Sequence, residues 1–137
     1  QRVEDAAKQI GIHDFINALP GGYNYSVGER GVTLSTGQRQ LIAFLRVYVR
    51  NPKILILDEA TSSIDTETEQ LLQNALEKLA VNRTLIIIAH RLSTIRNADK
   101  ILLFQDGKII EQGSHHYLME QKGIYQRMYS TQQFVNK

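Results

Sequence analysis

The sequence predicts an α/β fold with a parallel sheet core, flanking helices and a C-terminal hairpin. Two aliphatic runs and the pattern between them carry that prediction. Ile54–Leu57 is four consecutive aliphatics, too short for a helix and without the alternation of a half-exposed strand, so it reads as a strand buried on both faces. Thr84–Ala89 is β-branched and aliphatic and reads as a second buried strand. Between them Leu72, Ala75, Leu76 and Leu79 recur at helical spacing, and a strand–helix–strand order implies a right-handed crossover with parallel strands. Asp58 and Glu59 follow the first strand and His90 follows the second, which puts all three at one sheet edge. Beyond the carboxyl ends of parallel strands is where ligands bind. Taken alone, the acid pair is equally a solvated strand end, and a single histidine there is more often a bystander.

From the N-terminus, apolar residues at Val3, Ala6, Ala7 and Ile10, then Ile12, Phe15 and Ile16, predict two short amphipathic helices hinged at Gly11. Residues 20–33 hold four glycines and Pro20, a long irregular loop of the kind that is usually functional in a compact domain. Ser35 and Gln38 are spaced as a capping box, so a helix starts at Thr36 and buries Leu41, Ile42, Leu45, Tyr48 and Val49. Asn51-Pro52 ends it, because the residue before proline is pushed out of the α region. A helix N-terminus is an anion site, and Gly37 lets a phosphate approach the backbone closely. Ser35 can serve as cap and as phosphate donor together, since a hydroxyl donates once and accepts twice.

After Asp65, Thr66 and Glu69 read as a second capping box. Ser93 caps a turn of helix ending at Asn97. Lys100–Phe104 and Lys108–Gln112 flank Asp106-Gly107, a strong hairpin signal. Two terminal helices, Ser114–Gln121 and Ile124–Phe134, are separated by Gly123. His115 and His116 are adjacent and so point to different sides of a helix; both read as surface residues and not as metal ligands.

Composition narrows the function classes. With 137 residues, 22% charged and 42% hydrophobic, the chain suits one core or part of one, not wholesale disorder. There are no cysteines, so disulfides and thiolate metal sites are excluded. The net charge of +2 is small and the basic residues are scattered, which argues against nucleic acid as a partner. Leu41–Val49 is broken by Arg46, and no run reaches the roughly 18 apolar residues that span a bilayer.

Ile54–Asp65 resembles the Walker B segment and D-loop of the ATP-binding cassette (ABC) ATPases. Leu34-Ser35-Thr36-Gly37-Gln38 resembles the ABC signature, His90 in Ile88–Arg91 resembles the switch histidine, and Val27–Gly31 resembles the X-loop of exporter-type members. Three motifs in family order are far more specific than one, and the resemblance covers nearly the whole chain. It implies a partial P-loop NTPase-like domain truncated at its N-terminus, with 1–52 in the helical signature subdomain and 53–137 in the C-terminal part of the ATPase core. It also implies ATP and Mg²⁺ as cofactors. Asp58 would hold Mg²⁺ through water, Glu59 would act as general base, and His90 would contact the terminal phosphate. Ser35, Thr36, Gly37 and Gln38 would bind the γ-phosphate of ATP held by a second nucleotide-binding domain, and Ser62, Ser63 and Asp65 would cross to that domain. Val27–Gly31 would meet transmembrane domains at the cytoplasmic face of a membrane.

The chain departs from the family pattern in two respects. No G-x-x-x-x-G-K-[ST] run occurs in it, so on its own it is expected neither to bind ATP tightly nor to hydrolyse it. Thr36 stands where the family usually has glycine, and its branched bulk is expected to weaken phosphate contact. A DNA-repair type of ABC ATPase shares the same motifs, and a non-catalytic interaction fragment is the third alternative. The exporter-like runs and the lack of a basic stripe favour the first reading.

Overall fold

The structure, a computed structural model, describes residues 2–58, 64–89 and 92–135, with Arg30, Leu92, Ser93 and residues 132–135 as backbone only. It comprises two compact units, residues 1–88 and 89–137.

In the first unit, α1 (Arg2–Ile10) and α2 (His13–Asn17) meet at Gly11, whose φ of 83° only glycine adopts readily. This is the hinge the sequence predicts. The loop that follows contains two single 3-10 turns, Gly22–Asn24 and Glu29–Gly31. Then comes α3 (Thr36–Arg50), β1 (Ile54–Asp58), α4 (Thr66–Ala80) and β2 (Thr84–Ile88). β1 and β2 are parallel and paired from Ile54 with Thr84 to Asp58 with Ile88, so their carboxyl ends are flush. The core gathers Ala7, Ile10, Ile12, Leu41, Phe44, Leu45, Leu55, Leu72, Ala75 and Leu79 from both sequence halves. α3 and α4 pack on each other, so residues on either side of position 52 share one core.

Both strands differ from the sequence expectation in one way. Ile54 and Ile56 are 62% and 66% exposed while Leu55 is 8%, and Ile86 and Ile88 are about half exposed. The helices cover one face of this two-stranded sheet, so burial alternates although hydrophobicity does not. The α3 stripe is as predicted only at Leu41 and Leu45: Phe44, not expected there, is buried at 5%, whereas Ile42, Tyr48 and Val49 only flank the core. Asn51 leaves the right-handed helical region before Pro52 by entering the left-handed one (φ 50°, ψ 54°) instead of the extended one.

Arg83, in the turn between α4 and β2, joins the two helix ends. It donates from Nη1 to the Leu79 carbonyl at 2.7 Å and from Nη2 to Asn51 Oδ1 at 2.7 Å, and its guanidinium lies over the Tyr48 ring. A cation at a helix C-terminus is favoured by the exposed carbonyls there.

In the second unit, α5 (Leu92–Arg96) includes Ser93, which is therefore a helical residue and not the cap expected of it. β3 (Ile101–Gln105) and β4 (Lys108–Gly113) form the predicted hairpin, antiparallel, with an irregularity at Leu103/Phe104. Asp106 and Gly107 both have positive φ, 50° and 73°, as a two-residue turn matched to strand twist requires. α6 (His115–Glu120) starts from Ser114, whose hydroxyl accepts the Tyr117 N–H. α7 (Ile124–Val135) starts where the Glu111 carboxylate accepts the N–H groups of Ile124 and Tyr125 at 2.6 and 3.0 Å. His116 is on the surface, as expected, but His115 is not free there. Its Nδ1 is 2.8 Å from the Tyr125 hydroxyl, and its ring lies 4.8 Å from that of Tyr129 over the small core of Leu118, Tyr125 and Tyr129.

Candidate functional site

The start of α3 forms as the sequence predicts. The Ser35 hydroxyl accepts the Gln38 N–H at 3.2 Å, and Gln38 Oε1 accepts the Ser35 N–H at 3.0 Å. The capping box therefore uses the acceptor side of both side chains. Their donors, the Ser35 proton and the Gln38 carboxamide hydrogens, are not consumed by it. The N–H groups of Thr36 and Gly37 sit in the first helical turn, where no intrahelical carbonyl reaches them. Four donor groups of three kinds, two backbone amides, a hydroxyl and a carboxamide, thus lie at the positive end of a 15-residue helix.

Thr36 is tied to the helix that it begins. Its hydroxyl accepts from Arg39 Nη2 at 3.0 Å, while Arg39 Nη1 donates to the Leu34 carbonyl at 2.7 Å. Arg39 also lies against Gly31, so the loop before α3 is fastened to the helix it precedes. These contacts were not legible in the sequence, although an arginine three residues after a threonine on a helix is a spacing that permits them.

Gly37 is buried, and its surroundings give it a structural reason apart from phosphate approach. A Cβ there would stand 2.5 Å from Thr68 Cγ2 and 3.0 Å from Ile64 Cγ2, both at the start of α4. The runs Ser35–Gln38 and Ile64–Asp65 are therefore neighbours. The cap of α4 is Asp65, one residue before the expected Thr66: Asp65 Oδ1 accepts the Thr68 N–H at 2.9 Å. An aspartate is a better N-cap than threonine and takes the position. The Asp65 carboxyl is held below the usual carboxylate range, first by the Thr68 N–H and then by the Thr68 hydroxyl, both donating to its charged form.

Asp58 lies exposed at the carboxyl end of β1, opposite Ile88 in the parallel register. That is the edge at which the sequence places it. Glu59, Ser62, Ser63 and His90 lie outside the described residues.

The loop Val27–Gly31 turns at Gly28 and Gly31, with φ of 65° and 70°, and the Thr33 hydroxyl donates to the Val27 carbonyl. Beside it an apolar groove of about 380 Å³ runs between α1, α2 and α3. Val3, Ile16, Leu19, Tyr23, Tyr25, Val27 and Ile42 line it, together with Arg46 and Arg50. Tyr23 is fixed by a 2.9 Å hydrogen bond to His13 Nδ1, and burial pushes its hydroxyl pKa up, with smaller contributions from Glu4 and Asp14. The groove went unseen in the sequence because its walls come from three separate segments. Among the described residues no helix is long and apolar enough to cross a membrane.

Comparison with known proteins gives three concordant findings. The family model described as ABC transporter matches residues 1–62. The chain is 54% identical over 134 residues to "Multidrug resistance protein 1" of Entamoeba histolytica, covering 98% of this chain and 10% of that protein. It is 53% identical over 131 residues to the "ATP-dependent lipid A-core flippase" of Saccharophagus degradans, covering 96% and 22%. Among solved structures it superposes on a bacterial Atm1-family ABC exporter with ATP bound, with a TM-score of 0.82, 48% identity, and coverage of 96% of this chain and 23% of that one. The chain thus spans about a tenth to a quarter of the length of these relatives.

Proposed function

We propose that the chain, which the ABC transporter family model matches over residues 1–62, is the C-terminal part of a nucleotide-binding domain whose ATP hydrolysis drives export across a membrane. The observation that carries this reading is the donor cluster at the start of α3. It is built from the residues that resemble the family signature, with both capping bonds made and the remaining donors free of them.

The residues fit the groups the family implies. Two amides, a hydroxyl and a carboxamide suit the oxygens of a terminal phosphate, and an exposed carboxylate at a strand end suits a hydrated Mg²⁺. When bound, Mg²⁺ supplies charge neutralisation on the phosphates. In the proposal Ser35, Thr36, Gly37 and Gln38 donate to ATP carried by a second nucleotide-binding domain. Asp58 orients a water of the metal shell. Glu59 takes the proton of the attacking water, and His90 donates to the terminal phosphate. Ser62, Ser63 and Asp65 face the second domain. Residues 1–52 belong to the helical subdomain and 53–137 to the ATPase core.

For the export half of the proposal, the apolar groove beside Val27–Gly31 supports a docking surface for the transmembrane part, at the cytoplasmic face of the membrane. The ABC exporter among the solved structures supports the same direction of transport. The isolated 137-residue chain is expected to be inactive, because it holds no phosphate-cradling G-x-x-x-x-G-K-[ST] run.

Glu59→Gln in the full-length protein tests the reading. ATP binding should persist nearly unchanged while turnover falls by about 10² or more, the usual range for loss of a general base. Retained turnover removes Glu59 from the role.

A further inference from the structure

We propose that Thr68 is a positioning residue that locks the start of α4 to the start of α3, and that Gly37 is a glycine because the Thr68 methyl occupies the space of its side chain. Three observations support it. First, nothing in the backbone demands glycine at position 37. It is the second residue of a regular helix and is absent from the positive-φ positions, and in a helix glycine costs about 1 kcal/mol relative to alanine.

Second, the space is taken. An alanine Cβ at position 37 would stand 2.5 Å from Thr68 Cγ2 and 3.5 Å from Thr68 Cβ. The other close neighbour, Ile64 Cγ2 at 3.0 Å, is the lesser conflict and would have to give by only a few tenths of an ångström. Third, the two branches of Thr68 do different work. Its hydroxyl, like its backbone N–H, donates to the Asp65 carboxylate that begins α4, and its methyl seats against α3. Close packing leaves no void to absorb a shift, so displacement of Asp65 carries Gly37 with it. The start of α3 and Asp65, both proposed to face the second domain, then move as one body. The turnover part of this inference rests on the proposed function; the packing part does not.

The test is a set of variants of the full-length protein: Gly37→Ala, Thr68→Ser, Thr68→Val and the Gly37→Ala/Thr68→Ser pair. Each is measured for unfolding midpoint and for kcat and KM of ATP turnover. Gly37→Ala should lower the midpoint and reduce kcat at least fivefold. Thr68→Ser, which removes only the methyl, should restore at least half of both losses in the pair. Thr68→Val keeps a methyl and loses the hydroxyl; it should lower kcat with KM within twofold.

If the pair recovers neither quantity, the inference falls. Recovery of the midpoint without kcat also overturns it, because Gly37 would then be required by the nucleotide itself. If the unsubstituted protein shows no ATP turnover, the proposed function fails instead, and the midpoints alone decide: recovery in the pair upholds the packing role and its absence overturns it.

Discussion

Asp65 carries two loads, one on α4 and one in the proposed contact with a second domain. Its carboxyl is lowered from an ordinary value of 3.8 by the Thr68 N–H and hydroxyl. Because the folded value is below the unfolded one, the cap contributes fully above pH 3.8 and is lost as pH falls through the folded value. Urea unfolding followed between about pH 5 and pH 2 should show stability dropping at the acid end, and Asp65→Asn, which caps without a proton to gain, should flatten that part of the curve. Among single residues, Ser35 and Gln38 were fully legible as a pair, since a capping box is a local pattern. Thr66 was misread for the same reason. It offers the right spacing to Glu69, but Asp65 stands next to it and competes for the same amides.

Helices and turns were more legible than burial. Gly11, Ser35, Asn51-Pro52 and Asp106-Gly107 each fix a backbone conformation within a few residues, and each element boundary they predict appears in the structure. The two strands were correctly placed and correctly parallel, yet their exposure was not, because a strand cannot report whether a layer lies on its second face. The Gly37–Thr68 contact joins elements 31 residues apart in register with no pattern to announce it. At this level α3 is the element on which the unit depends. Leu41 is completely buried between α3 and its neighbours, so Leu41→Ala should destabilise the unit by about 2–5 kcal/mol, read from equilibrium denaturation. A loss under about 1 kcal/mol would mean that the site collapses around the missing atoms.

Taken together, the first unit presents two proposed functional surfaces. The donor-rich start of α3 lies beside the start of α4, and the apolar groove lies between α1, α2 and α3. One helix therefore serves both, with its N-terminus in the proposed nucleotide contact and its flank in the proposed membrane-domain contact. The exposed isoleucines of β1 and β2 form a further apolar face on the same unit, of a kind that soluble surfaces rarely leave uncovered. The family resemblance was legible because three short motifs occur in order; the groove and the exposed sheet face were not, since both depend on what surrounds the strands and helices.

Ser35→Asp in the full-length protein tests the central claim most directly. Aspartate caps a helix about as well as serine, so the unfolding free energy should change by no more than about 0.5 kcal/mol. The substitution replaces a donated proton with a negative charge facing the phosphate, and ATP turnover should fall at least tenfold. Unchanged turnover in a stably folded variant would contradict the assignment of the α3 N-terminus to the nucleotide.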